Sequence, residues 1–126
     1  LWVDIADMGD DKEAYRWNFL IKNHRQRDDY GPLMEMGQLF SMTGSENGGE
    51  LDLLSQRILD VNQWLRTFAF QSLGGVNDTY HQGLAHNLQL FVRPEDNRFV
   101  ALPWDQDLTF HHTSRLPVLG NSNFSK

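Results

Sequence analysis

The sequence predicts an α+β fold, helices around one small β-hairpin, and three observations carry that expectation. Val61, Trp64, Leu65, Phe68 and Leu73 recur at helical spacing and mark one amphipathic helix. Two apolar runs, 88–92 and 99–102, flank the turn-forming segment Arg93-Pro94-Glu95-Asp96-Asn97-Arg98, the pattern of a hairpin with a turn of several residues. Large apolar side chains alternate at Tyr15, Trp17, Phe19 and Ile21, the period of a strand buried on one face. At 126 residues and 40% hydrophobic content the chain is long enough to bury about two-thirds of its unfolded surface. It begins at Leu1 and closes on Phe124-Ser125-Lys126, so it reads as one partial domain over 1–126 of a longer protein, with 111–126 a loop-like tail.

In chain order, an apolar start, Leu1-Trp2-Val3-Asp4-Ile5, precedes the acidic turn Gly9-Asp10-Asp11, and the alternating strand occupies 15–21. The charged run from Lys22 to Asp29 is a solvated connection. Asp29-Tyr30-Gly31-Pro32 offers a cap with proline in the first turn, and Leu33, Met36, Gly37 and Phe40 then predict a helix over about 32–43. Gly37 inside that helix costs about 1 kcal/mol against alanine unless a neighbour approaches closely there. Residues 44–50 carry no apolar side chain and read as a loop, followed by a short helix at about 51–58. The helix at 61–73 starts at Asp60, with Gln63 where a capping-box partner belongs, and ends at Gly74-Gly75. Trp17, Trp64, Phe68, Phe70 and Met36 are the expected core.

Seventeen acidic against eleven basic residues give a formal charge of −6. That balance argues against a nucleic-acid partner, which needs a basic stripe, and suits a cation. No stretch approaches the roughly 18 consecutive apolar residues of a membrane-spanning helix, so no membrane insertion is expected. The absence of cysteine excludes a disulfide framework, a thiolate zinc site and a cysteine nucleophile.

Two polar stretches flank the expected hairpin, and closing it places Asn87 and Asp105 at the same end, with Asp78 arriving from the end of the long helix. The carboxylates of Asp105 and Asp107 are expected within one ion shell of the Asn87 amide. Aspartate and asparagine are hard oxygen donors, the set magnesium or manganese prefers when it also holds phosphate. Phosphoryl transfer in kinases uses such a set, one Asp receiving the acceptor hydroxyl while an Asn and another Asp hold the metal. His81, His86, His111 and His112 lack a helical His-x-x-x-His spacing and are read as hydrogen-bonding loop residues.

Asp60-Val61-Asn62-Gln63-Trp64-Leu65-Arg66, Asn77-Asp78, His86-Asn87-Leu88-Gln89-Leu90-Phe91 and above all Leu102-Pro103-Trp104-Asp105-Gln106-Asp107 with Phe110 resemble the spore coat protein H (CotH) kinase family of atypical, secreted protein kinases. The upstream Lys22-Asn23-His24-Arg25 and Asp28-Asp29-Tyr30 are similar to it as well. The resemblance runs from about Tyr15 to Phe110 and implies a fragment of a kinase-like catalytic, C-terminal lobe. It implies that Asp78 is the catalytic Asp, Asn87 the metal-binding Asn and Asp105 the metal-binding Asp, with Asp107 a second ligand. Mg2+ or Mn2+ and ATP are the implied cofactors, and serine or threonine hydroxyls of a protein are the implied acceptors. The implied location is extracellular or on the cell or spore surface. Asp78 and Asn87 are nine positions apart, where the usual kinase catalytic loop has five. A glycine-rich phosphate loop and its partner lysine are missing, since Lys12 and Lys22 lie in no such context, so the small lobe is expected before residue 1 and the piece alone is expected to be inactive. Two other readings stand beside this one: a pseudokinase-like scaffold or surface module, and a metal-dependent phosphodiesterase using the same carboxylates.

Overall fold

A computed structural model describes residues 4–42, 48–76, 78–84, 86–107 and 109–110. Its contacts divide the chain into two compact units, one running up to Leu54 and the other from Ser55 onward. Among the described residues there are four α-helices, α1 (Lys12–Asn18), α2 (Gly31–Ser41), α3 (Gly48–Ile58) and α4 (Val61–Leu73), and one antiparallel hairpin of β1 (Leu88–Val92) and β2 (Phe99–Pro103). The fold is therefore α+β.

In the first unit the expected strand at 15–21 is instead helix α1. Asp11 caps it, its carboxylate accepting from the Glu13 amide at 3.0 Å, and the helix ends at Phe19. A strand would aim Tyr15 and Trp17 the same way, whereas a helix sets residues two apart on nearly opposite sides. Tyr15 is accordingly buried and its hydroxyl accepts from the Met8 amide at 2.9 Å, while Trp17 is 86% exposed and is not a core residue. The connection 22–29 is largely exposed, with a short 3-10 turn at Arg25–Arg27. Asp28 after it takes Lys12 and Arg16, whose hydrogen bonds hold its carboxyl well below the usual carboxylate range. Helix α2 begins one residue earlier and ends two residues sooner than expected. Its proline lies in the first turn and Asp29 accepts from the Gly31 amide at 3.0 Å. Met36 and Leu39 are buried. A Cβ at Gly37 would run into the Ala6 carbonyl oxygen, so close approach of the Ala6–Asp7 backbone explains the glycine.

Helix α3 starts at Gly48, so 48–50 belong to a helix rather than to the expected loop; 43–47 lie outside the described residues. In the second unit α4 has the expected span and its Asp60 cap, the carboxylate accepting from the Gln63 amide at 3.1 Å. Its buried face is not the expected stripe. Trp64, Thr67, Gln71 and Ser72 are buried, while Leu65, Phe70 and Leu73 are exposed. The polar row Gln63, Thr67, Gln71 follows the i, i+4, i+8 line down the helix, and β2 lies against its upper part.

The Gln63 side chain does not complete a capping box. It lies along the outer edge of β2 as a neighbouring peptide would: Oε1 accepts from the Ala101 amide at 2.7 Å and Nε2 donates to the Ala101 carbonyl at 2.7 Å. Thr67 Oγ1 donates to that same carbonyl, while Trp64 Nε1 and the Asp60 amide both donate to the Phe99 carbonyl. Helix α4 thereby seals the backbone of β2 with side chains, and Ala101 is fully buried. At the other end of the hairpin Arg93 bridges Asp60, at 2.8 Å, and Asp96. The hydrogen bond from Arg93 holds the Asp96 carboxyl down at about 2. The tail 111–126, with His111 and His112, lies outside the described residues.

Candidate functional site

Helix α4 ends as its glycines dictate. Gly74 caps it, Gly75 takes a positive φ of 71° that costs a glycine little, and the Val76 amide returns to the Gln71 carbonyl at 3.0 Å. Val76 is fully buried, so the chain leaves the helix pinned rather than loose, and Asp78 follows two residues later. A 3-10 turn at Tyr80–Gln82 packs against α4, Phe68 stacking on both Tyr80 and His81. Gly83 closes that turn at a φ of 96°.

The loop returns to β1 through Asn87, whose left-handed φ of 56° is one that asparagine tolerates better than most residues. From that corner the Asn87 side-chain Nδ2 donates twice to Asp78, to its carbonyl oxygen at 2.9 Å and to its carboxylate Oδ2 at 3.1 Å. The nine-residue separation is thus spanned by a direct side-chain contact. The second carboxylate oxygen, Asp78 Oδ1, is buried and has no hydrogen-bond partner among the described residues. His86 Nε2 lies 3.8 Å from Asp78 Oδ2, beyond hydrogen-bond length.

The hairpin ladder extends one rung past its strands, the Trp104 amide donating to the Asn87 carbonyl at 3.2 Å. Asp105 is the next residue and turns the chain away with a φ of 53°. Asn87 and Asp105 thus leave the hairpin at the same end, each through a left-handed residue. Asp107 follows on an exposed turn, and Asp105 is exposed as well. Among the described residues no three His, Asp or Glu side chains converge into a cage for a metal ion. Magnesium seldom needs one: it keeps several waters and takes one or two carboxylates together with substrate phosphates. The side-chain oxygen of Asn87 and the carboxylate of Asp105 are hard donors of the kind such an ion takes.

The family model described as CotH kinase protein matches residues 5–125. The chain belongs to the CotH kinase family. Membership assigns it a kinase-like function, and the match spans both compact units. No curated protein and no solved structure matches the chain. In this CotH kinase chain the structure joins Asp78 to Asn87 through side chains, and the residue before Asp105, Trp104, pairs with Asn87 through the backbone ladder.

The polar interior around the candidate site was not foreseen from the sequence. Ser72, Thr79 and His81 form a buried hydrogen-bonded set, and burial pushes the His81 imidazole below its ordinary value. The available signal was the polar row on α4 itself, since Thr67, Gln71 and Ser72 occupy positions that an apolar stripe would otherwise fill.

Proposed function

We propose that this chain is part of the catalytic lobe of a metal-dependent protein kinase that moves the γ-phosphate of ATP to a serine or threonine hydroxyl of a protein. The observation that carries the reading is the Asn87–Asp78 pair, in which one carboxylate oxygen is held by the amide and the other is buried without a partner among the described residues. In that reading the Asp78 carboxylate accepts the proton of the acceptor hydroxyl as its oxygen attacks the γ-phosphorus. The bond from the γ-phosphorus to the bridging oxygen breaks, and ADP departs with that electron pair. A bound Mg2+ or Mn2+ would be held by Asn87 Oδ1 and the carboxylates of Asp105 and Asp107, and it supplies charge neutralisation on the phosphates. Asn87 serves this reading in two ways: its Nδ2 orients the base, and its side-chain oxygen is a hard donor suited to the ion. The glycine-rich loop and lysine that cradle the nucleotide are to be sought outside these residues, which makes this piece alone inactive. The extracellular or spore-surface setting belongs to the same proposal and rests on the family resemblance.

The test is transfer of labelled γ-phosphate by the full-length protein. Asp105→Ala should abolish metal-dependent transfer, and chelation of divalent ions should do the same to the wild type. Asp78→Asn should retain ATP binding and lose about 10²- to 10⁴-fold in kcat, the usual contribution of a positioned base. Wild-type protein that binds Mg-ATP and transfers nothing, to itself or to any protein, makes the pseudokinase-like module the correct reading. Full activity in Asp105→Ala overturns the residue assignment.

A further inference from the structure

We propose that His81 is a positioning residue, its ring clamping Thr79 to the end of α4 and so fixing the backbone that carries Asp78. The inference rests on the phosphoryl-transfer reading above and adds to it a device that never touches the reacting atoms. Gln82 Nε2 lies 3.0 Å from His81 Nε2 and has only hydrogens to give, so that ring nitrogen is an acceptor. Ser72 Oγ also lies 2.8 Å from that nitrogen. The ring hydrogen is therefore on Nδ1, which donates to Thr79 Oγ1 at 2.8 Å. Thr79 is wholly buried and is the residue directly after Asp78. Its carbonyl also accepts from the amides of Gln82, at 3.0 Å, and Leu84, at 3.3 Å.

Thr79 is thus held at both its side chain and its carbonyl, and the ring that holds it lies flat on Phe68 of α4 with centroids 5.5 Å apart. Asp78 is fixed from two directions, through the peptide bond to Thr79 on one side and through Asn87 Nδ2 on the other. A base whose loop drifts by about 1 Å can lose on the order of 10²-fold in rate without losing its chemistry. An imidazole suits the clamp because one ring both donates and accepts along a single axis, and because its burial favours the uncharged form.

The test uses the full-length protein and four variants. His81→Leu and Thr79→Val each remove the Nδ1–Oγ1 bond and should lower kcat by about 10- to 100-fold while the KM for ATP stays within about twofold. His81→Asn, which restores an N–H near the Nδ1 position, should recover part of that loss. In an Asp78→Asn background His81→Leu should add no further loss, because a residue acting through Asp78 has nothing left to position. If thermal melts show that His81→Leu fails to fold, the shape-conserving Thr79→Val decides. A folded Thr79→Val protein with wild-type kcat, or a loss that is equally large with and without Asp78, overturns the inference. Wild-type protein without any transfer activity sinks the underlying reading and this one with it.

Discussion

Gln63 shows how much a single side chain can take on at the scale of one residue. Its amide pairs both backbone groups of Ala101, so replacing it with leucine leaves a buried N–H without a partner, although Thr67 still serves the carbonyl. Gln63→Leu should therefore cost about 1–3 kcal/mol, read as a lower urea midpoint at unchanged slope. An unchanged midpoint would mean that water replaces the amide. In sequence, Gln63 three positions after Asp60 is also what a capping box looks like, and the cap itself was legible. The second half of the assignment failed because a glutamine can satisfy a distant strand as well as a local amide, and nothing in the local spacing distinguishes the two. Asn87 and Asp78 each stood out in the sequence, but the contact expected for the Asn87 amide was with Asp105 and Asp107; its bonds to Asp78 were not legible, because they depend on how the 79–86 loop folds back.

The same contrast governs whole elements. The span of α4 was readable from its cap and its Gly-Gly stop, yet its buried face was rotated from the apolar stripe toward Trp64, Thr67 and Gln71. Trp64→Ala should cost about 3–5 kcal/mol, whereas Leu65→Ala and Leu73→Ala should stay within about 0.5 kcal/mol, because those leucines are 59% and 76% exposed. Denaturant titrations giving equal losses for Trp64 and Leu73 would restore the apolar stripe as the buried face. Helix α1 was misread because four alternating apolar residues imitate a strand over so short a span. Asp11, which caps the helix, reads in the sequence as the end of the acidic turn Gly9-Asp10-Asp11. The hairpin was readable because Pro94 and Asn97 punctuate it, and a turn between two apolar runs offers no competing period.

For the molecule as a whole, these groups set how it should respond to acid. His81 is depressed by burial, so the unfolded chain takes up its proton first; stability is greatest above about 6.5 and falls as the pH drops from there toward the folded value. Asp96 is held at about 2, so its contribution is present above the ordinary carboxylate value and is lost later, as the pH falls toward about 2. Acid unfolding should then begin in the histidine window, and His81→Asn should remove that first loss of stability while leaving the second. A wild-type stability profile that is flat between pH 7 and about 5 would contradict it. The side-chain seal along β2 also gives the sheet a direction of growth. Among the described residues it has two strands, and Gln63, Thr67 and Trp64 occupy the outward backbone groups of β2 as a third strand would. The β2 edge is thereby closed to a strand contributed by another molecule, so any assembly through this sheet has to use the β1 side. Amide exchange reads this directly: the Ala101 amide, although it faces an outer edge, should exchange slowly, and the Leu90 amide opposite it should be quick until such a strand arrives.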